Sequence, residues 1–102
     1  MSAHIFKTAS TKSDFQTMME SAGDKAVFVK FSATWCPPCV RMKEFLEDYC
    51  KGKEDNAVYI AIDVDENGEV AAEYNVSSIP VLLVFVNGQQ KEKVVGFDKT
   101  KV

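Results

Sequence analysis

Two cysteines separated by two residues, Cys36 and Cys39, are the side chains of this sequence best suited to covalent chemistry. Pro37 and Pro38 fill the gap between them, and Trp35 stands just before. Such a pair can cycle between dithiol and disulfide, supply half of a metal site, or sit idle in a core. A structural zinc site takes four nitrogen or sulfur ligands. The chain offers Cys36, Cys39, Cys50 and His4. Cys50 follows Cys39 on what reads as one helix, roughly 16 Å further along at about 1.5 Å per residue. That is too far to share an ion or to bridge the pair. Eleven residues return to nearly the same helix face, so Cys50 reads as a core thiol, with a regulatory or dimer-forming thiol as the alternative.

The neighbouring elements favour redox chemistry. Ala26–Ser32 (AVFVKFS) is rich in β-branched and aromatic residues and reads as a strand. After the pair, Met42, Phe45, Leu46 and Tyr49 recur at helical spacing, so a helix runs to about residue 50. The cysteines thus lie where a strand hands over to a helix, the usual edge for chemistry in an α/β sheet. A residue before proline is pushed away from helical geometry. Cys36 and Pro37 are therefore expected to stay extended, with the helix starting near Pro38, where a missing N–H does no harm. The partial positive charge of a helix N-terminus stabilises a thiolate. Cys36 is expected to be the exposed nucleophile and Cys39 the buried thiol that resolves the mixed disulfide.

The rest of the chain supplies the scaffold. A short strand is expected around residues 5 and 6. Ser13 and Gln16 have capping-box spacing, and a helix through Phe15, Met18, Met19 and Ala22 ends at Gly23. Ala57–Asp63 (AVYIAID) is a second apolar strand, and 69–74 a short helix. VLLVFV follows Pro80, then Asn87-Gly88 marks a hairpin, and 91–95 returns as a charged edge strand. Two buried strands separated by helices imply parallel pairing through right-handed crossovers. The fold class is therefore α/β, a mixed sheet of four to five strands with helices on both faces, in one domain spanning 1–102. The run DVDENG begins like a calcium loop, but its twelfth position is Tyr74 rather than glutamate, so it reads as a turn with a charged rim.

Bulk properties exclude other classes. The net charge is −3, which gives no electrostatic reason to bind nucleic acid or an anionic membrane. No apolar run approaches the roughly 18 residues of a membrane span. The N-terminal residues lack the basic start and apolar block of a secretory signal, so a cytoplasmic location is expected.

FSATWCPPC, followed by Ser78-Ile79-Pro80 and then the strand–Asn–Gly–strand hairpin, resembles the thioredoxin family over nearly the whole chain. The resemblance implies the thioredoxin fold and reduction of protein disulfides by Cys36 and Cys39, with no metal or bound cofactor. It implies a cis Ile79–Pro80 bond facing the cysteines, and an Ile79 backbone that pairs with an extended substrate strand. Trp35 would shield the dithiol, and Gly96 would keep the docking groove shallow. Disulfide-containing proteins would be the substrates, an NADPH-dependent thioredoxin reductase the electron donor, and the chain a monomer.

Three positions depart from the family pattern. Pro37-Pro38 replaces the usual Gly-Pro and is similar to the dipeptide of tryparedoxins and nucleoredoxins, which leaves room for a small dithiol donor. Lys30 stands where the family has a buried aspartate. It could act as a cation favouring a thiolate or as a neutral amine, or its head could snorkel to water. The family's terminal helix would begin near residue 98, so with the chain ending at Val102 that helix is expected to be truncated or missing. An interaction module with little redox turnover is the alternative function.

Overall fold

The computed structural model describes residues 6–49 and 57–96. Five strands and three helices follow in the order β1 (Lys7–Thr8), α1 (Lys12–Ser21), β2 (Ala26–Ser32), α2 (Pro37–Tyr49), β3 (Ala57–Asp63), α3 (Gly68–Glu73), β4 (Val81–Val86) and β5 (Gln89–Val95). The strands form one sheet in the order β1-β3-β2-β4-β5. β3 is parallel to both β1 and β2, whereas β4 runs antiparallel to β2 and β5 antiparallel to β4. This is the expected mixed sheet. The region expected to hold or lack a terminal helix lies outside the described residues, as do His4 and Cys50.

The period of two along each strand divides the core into two layers. Val27, Val29 and Phe31 of β2, Ile60 and Ile62 of β3, and Val81, Leu83 and Phe85 of β4 face one side. There they pack with Phe15 and Ala22 of the α1 region and with Val70 and Ala71 of α3. Ala57 and Tyr59 of β3 and Leu82 of β4 face the other side, under Met42 and Leu46 of α2. Neighbouring β2 residues thus serve opposite layers, and a one-residue slip would exchange them.

Local chemistry sets the ends. α1 is capped by Thr11, whose hydroxyl accepts the Asp14 N–H at 3.0 Å, so Thr11 takes the role expected of Ser13. Gly23 follows the helix at φ +61° and donates its N–H to the Glu20 carbonyl, as a C-terminal glycine should. β1 occupies Lys7–Thr8, two residues later than expected, with Phe6 just before it and buried. Asn87 and Gly88 both have positive φ, 53° and 78°, which suits the tight β4–β5 hairpin.

Leu46 is 1% exposed and anchors α2 on its side of the sheet. Leu46→Ala is expected to cost about 2–5 kcal/mol in denaturant unfolding. A loss under about 1 kcal/mol would show that α2 is held elsewhere.

Candidate active site

β2 ends at Ser32, and after four intervening residues the chain enters α2 at Pro37. Cys36 is the N-cap of that helix. Its carbonyl accepts the Val40 N–H at 3.2 Å, closing the first helical turn. Its sulfur accepts the Cys39 N–H, also at 3.2 Å. An N-cap side chain ordinarily accepts from the second or third helical residue. Pro37 and Pro38 have no N–H to offer, so Cys39 is the first residue able to donate. The two prolines therefore leave the Cys36 sulfur one specific backbone donor in the first turn.

Helix α2 begins at Pro37, one residue earlier than expected. The clash that keeps a pre-proline residue extended acts partly through that residue's N–H. Pro37 lacks one and has φ already fixed near the helical value, so both prolines fit the first turn.

Cys36 and Cys39 are joined as a disulfide, with Cα atoms 5.2 Å apart. Both residues are buried, at 4% and 2% exposure. The burial of Cys36 corrects the expectation of an exposed thiol. Ala33 packs beside the disulfide, and Val64 and Ile79 close over the cluster. The two cysteines are therefore distinguished less by exposure than by position: Cys36 stands at the helix mouth, Cys39 within the first turn.

Distant segments complete the site. The Ile79–Pro80 bond is cis. Ile79 packs on the cysteine cluster, and Pro80 is fully buried. The Pro80 carbonyl accepts the Gly96 N–H at 2.7 Å, tying the end of β5 to the start of β4. Gly96 has φ +78°, a region that disfavours side chains, and a Cβ there would project into open space. The fold thus brings Cys36, Cys39 and Ile79-Pro80 together and ties Gly96 to Pro80.

Trp35 is 65% exposed. Its indole N–H donates to Asp65 at 2.7 Å. Asp65 is held in turn by the loop after β3, where Asp63 accepts the backbone N–H groups of Asp65 and Glu66. The DVDENG run therefore serves as a structured turn. Its Asn67 is buried and donates to the Ala9 carbonyl at 3.0 Å. The sequence reading placed a charged rim here but missed Asp65 as the partner of Trp35. A signal was present, because an indole N–H on a loop seeks an acceptor, and parallel pairing puts the ends of β2 and β3 side by side.

Lys30 is also buried, at 4% exposure, which overturns the snorkelling alternative. Its ammonium lies 4.7 Å from the centre of the Phe6 ring, a cation–π contact. Phe6 in turn meets Tyr59 edge-on, and Tyr59 stacks with Phe28, giving an aromatic row beneath α2. Burial lowers the Lys30 pKa from its ordinary 10.5 to about 8, with Lys43 adding to the fall and Glu47 opposing it. A cavity of about 730 Å³ opens beside this row, with Phe6, Cys39, Lys43, Glu47, Asp63 and Glu66 among its walls. Lys30 thus lies in the layer beneath α2, against Phe6, whose ring shares a cavity wall with Cys39. Among the described residues, no cluster of three or more potential metal ligands occurs.

Comparison with known proteins agrees with the fold. The family profile described as Thioredoxin matches residues 6–102. A thioredoxin of Oryctolagus cuniculus is 42% identical over 98 residues, covering 96% of this chain and 92% of that protein. One from Staphylococcus aureus is 45% identical over 87 residues, covering 85% and 81%. The crystal structure of a thioredoxin from Nicotiana alata superposes with a TM-score of 0.90 at 29% identity, covering 99% of this chain and 89% of that one.

The lowered pKa of Lys30 means that folding disfavours its charged form. The penalty is fully present below about pH 8, shrinks as the pH rises from there, and vanishes above 10.5, where both folded and unfolded states are neutral. Lys30→Met should therefore stabilise the oxidised protein at pH 7 by roughly 1–3 kcal/mol, the depressed pKa converted to free energy less the lost cation–π contact. The gain should close between about pH 8 and 10.5. Denaturant unfolding across that range checks both statements, and a gain independent of pH would contradict them.

Proposed function

Because the chain belongs to the thioredoxin family of thiol–disulfide oxidoreductases, we propose that it reduces protein disulfides through Cys36 and Cys39. The observation that carries this reading is the disulfide itself, seated at a helix N-terminus with the Cys36 sulfur accepting the Cys39 N–H. The same N–H and the helix dipole stabilise negative charge on that sulfur once the bond is reduced.

In the reduced protein, the Cys36 thiolate attacks one sulfur of a substrate disulfide. The substrate S–S bond breaks, one substrate thiolate leaves, and a mixed disulfide forms. Cys39, as thiolate, then attacks the Cys36 sulfur. The second substrate thiolate leaves, and the Cys36–Cys39 bond closes. Two electrons have passed from the dithiol to the substrate. No metal or bound cofactor takes part. Pro37 and Pro38 shape the helix entry and leave Cys36 its single donor in the first turn. Trp35, Ile79 and Gly96 form the docking surface over the buried Pro80, with Ile79 offering its backbone to an extended substrate segment. Lys30 supports the pair from the layer beneath α2.

A thioredoxin reductase drawing on NADPH is the proposed electron donor, a cytoplasmic location fits a reductant so supplied, and residues 1–102 act as one domain. No helix among the described residues is long and apolar enough to cross a membrane.

Turbidity from insulin reduction by dithiothreitol is the direct test. The protein should accelerate it strongly, and Cys36→Ser should abolish the acceleration. Cys39→Ser should instead accumulate a mixed disulfide with insulin, visible by mass spectrometry. Turnover surviving in Cys36→Ser would remove the assigned nucleophile.

A further inference from the structure

The dithiol mechanism leaves the charge of one buried side chain without a stated effect. Lys30 occupies the central strand β2, paired with Ala61 on one side and Leu82 on the other. It shares its face of the sheet with Phe28, beneath α2. Its ammonium rests on Phe6, and Phe6 and Cys39 line the same cavity. Lys43 and Glu47, which act electrostatically on Lys30, line it too. A cation held in a poorly solvated layer interacts strongly with any charge appearing nearby. The disulfide carries no charge. The reduced pair does, because its thiols ionise as a coupled unit.

We propose that Lys30 sets the redox poise of the Cys36–Cys39 couple by stabilising the thiolate charge of the reduced pair, which shifts the equilibrium toward the dithiol. This rests on the reading that the pair cycles. Against glutathione, the balanced reaction takes two electrons from two glutathione thiols, which join as their disulfide. The Cys36–Cys39 bond breaks, and the pair retains fewer than two protons wherever a thiolate is populated. The ammonium has nothing to stabilise at low pH, where both thiols are protonated. It also loses its effect at high pH, as Lys30 itself deprotonates from a pKa already lowered to about 8 in the oxidised form. The influence of Lys30 is therefore confined to a window of pH, which a purely structural role would not produce. Among the described residues, the other ionisable groups on this face are Lys43 and Glu47 from α2, Tyr59 from β3, Asp63 and Glu66 from the end of β3 and its following loop, and Glu92 of β5, which pairs with Val84. To the apolar packing of this layer, β4 and β5 add Leu82 and Val94. The facing charges remain in a Lys30 variant, so comparison with wild type isolates Lys30.

Equilibration with glutathione buffers at several pH values tests the proposal. At pH 7, Lys30→Met should shift the equilibrium constant roughly tenfold toward the disulfide, about 30 mV for a two-electron couple. The difference should close toward pH 10. Equal constants at pH 7, or an undiminished difference at pH 10, would overturn it. A second measurement needs no variant. Coupling is reciprocal, so the Lys30 side chain of wild type, titrated by NMR, should have a higher pKa in the reduced protein than in the oxidised one. Identical values would refute the coupling. A wild-type protein that forms no reversible disulfide in these buffers would refute the dithiol reading as well, and so is distinguishable from failure of the Lys30 effect alone.

Discussion

Strand β2 is hydrogen-bonded along both edges and covered on both faces, and the site hangs from its carboxyl end. Pairing with β3 on one side and β4 on the other fixes its register twice. The alternation of side chains fixes it again, because a slip would send Val29 and Phe31 toward α2 and Lys30 toward the α1 layer. From this fixed end, Ala33 and Thr34 carry the chain into Trp35 and Cys36. The carboxyl end of β3 lies alongside, since Val64 donates its N–H to the Ser32 carbonyl at 3.0 Å. That bond puts the loop carrying Asp65 within reach of Trp35. The start of β4, with Ile79 and Pro80 just before it, meets the same end from the antiparallel side. Three segments far apart in sequence therefore converge because one strand cannot move.

The sequence made much of this visible, for reasons that are local. β2 and β3 are continuous runs of apolar, β-branched and aromatic residues, and their limits match the structure. The cysteine spacing and the prolines announced a strand-to-helix junction. The parts that were not legible depend on contacts across the fold. Thr11 and Ser13 both offer a hydroxyl followed three residues later by a polar side chain, and only the geometry of Asp14 shows which caps the helix. The burial of Cys36 comes from Val64 and Ile79, neither of which is near it in sequence. A lysine within an apolar strand normally extends its head to water. The fate of Lys30 is decided instead by an aromatic ring that arrives from the segment before β1.

The Pro37-Pro38 pair has two opposing consequences at the helix mouth. It removes two N–H groups that would otherwise increase the positive potential felt by the Cys36 sulfur. It also stiffens the first turn, so that the remaining donor, Cys39, is held in place whether or not the sulfur carries charge. A fixed dipole aimed at a developing charge needs little reorganisation when the charge appears. Fewer donors held rigidly can therefore serve as well as more donors held loosely. Lys30, buried in the layer beneath α2, adds a second positive charge to this region, and the carboxylates of Asp63 and Glu66 stand with Cys39 on the wall of the neighbouring cavity.

The two borders of the sheet bear on a different property. β1 is two residues long, and β5 is longer but carries Lys91, Glu92 and Lys93, with a register irregularity at Val84 and Phe85 on its partner. Short, charged and irregular borders resist pairing with another sheet. A protein that recruits extended segments of other chains by their backbones is under a particular hazard, since a second copy of itself is also an extended partner. Among the described residues, the long border is the one guarded by charge. If substrates dock as proposed, on the Ile79-Pro80 side of the disulfide, a captured segment would meet a sulfur and be released there, away from a border where capture would grow into a fibre.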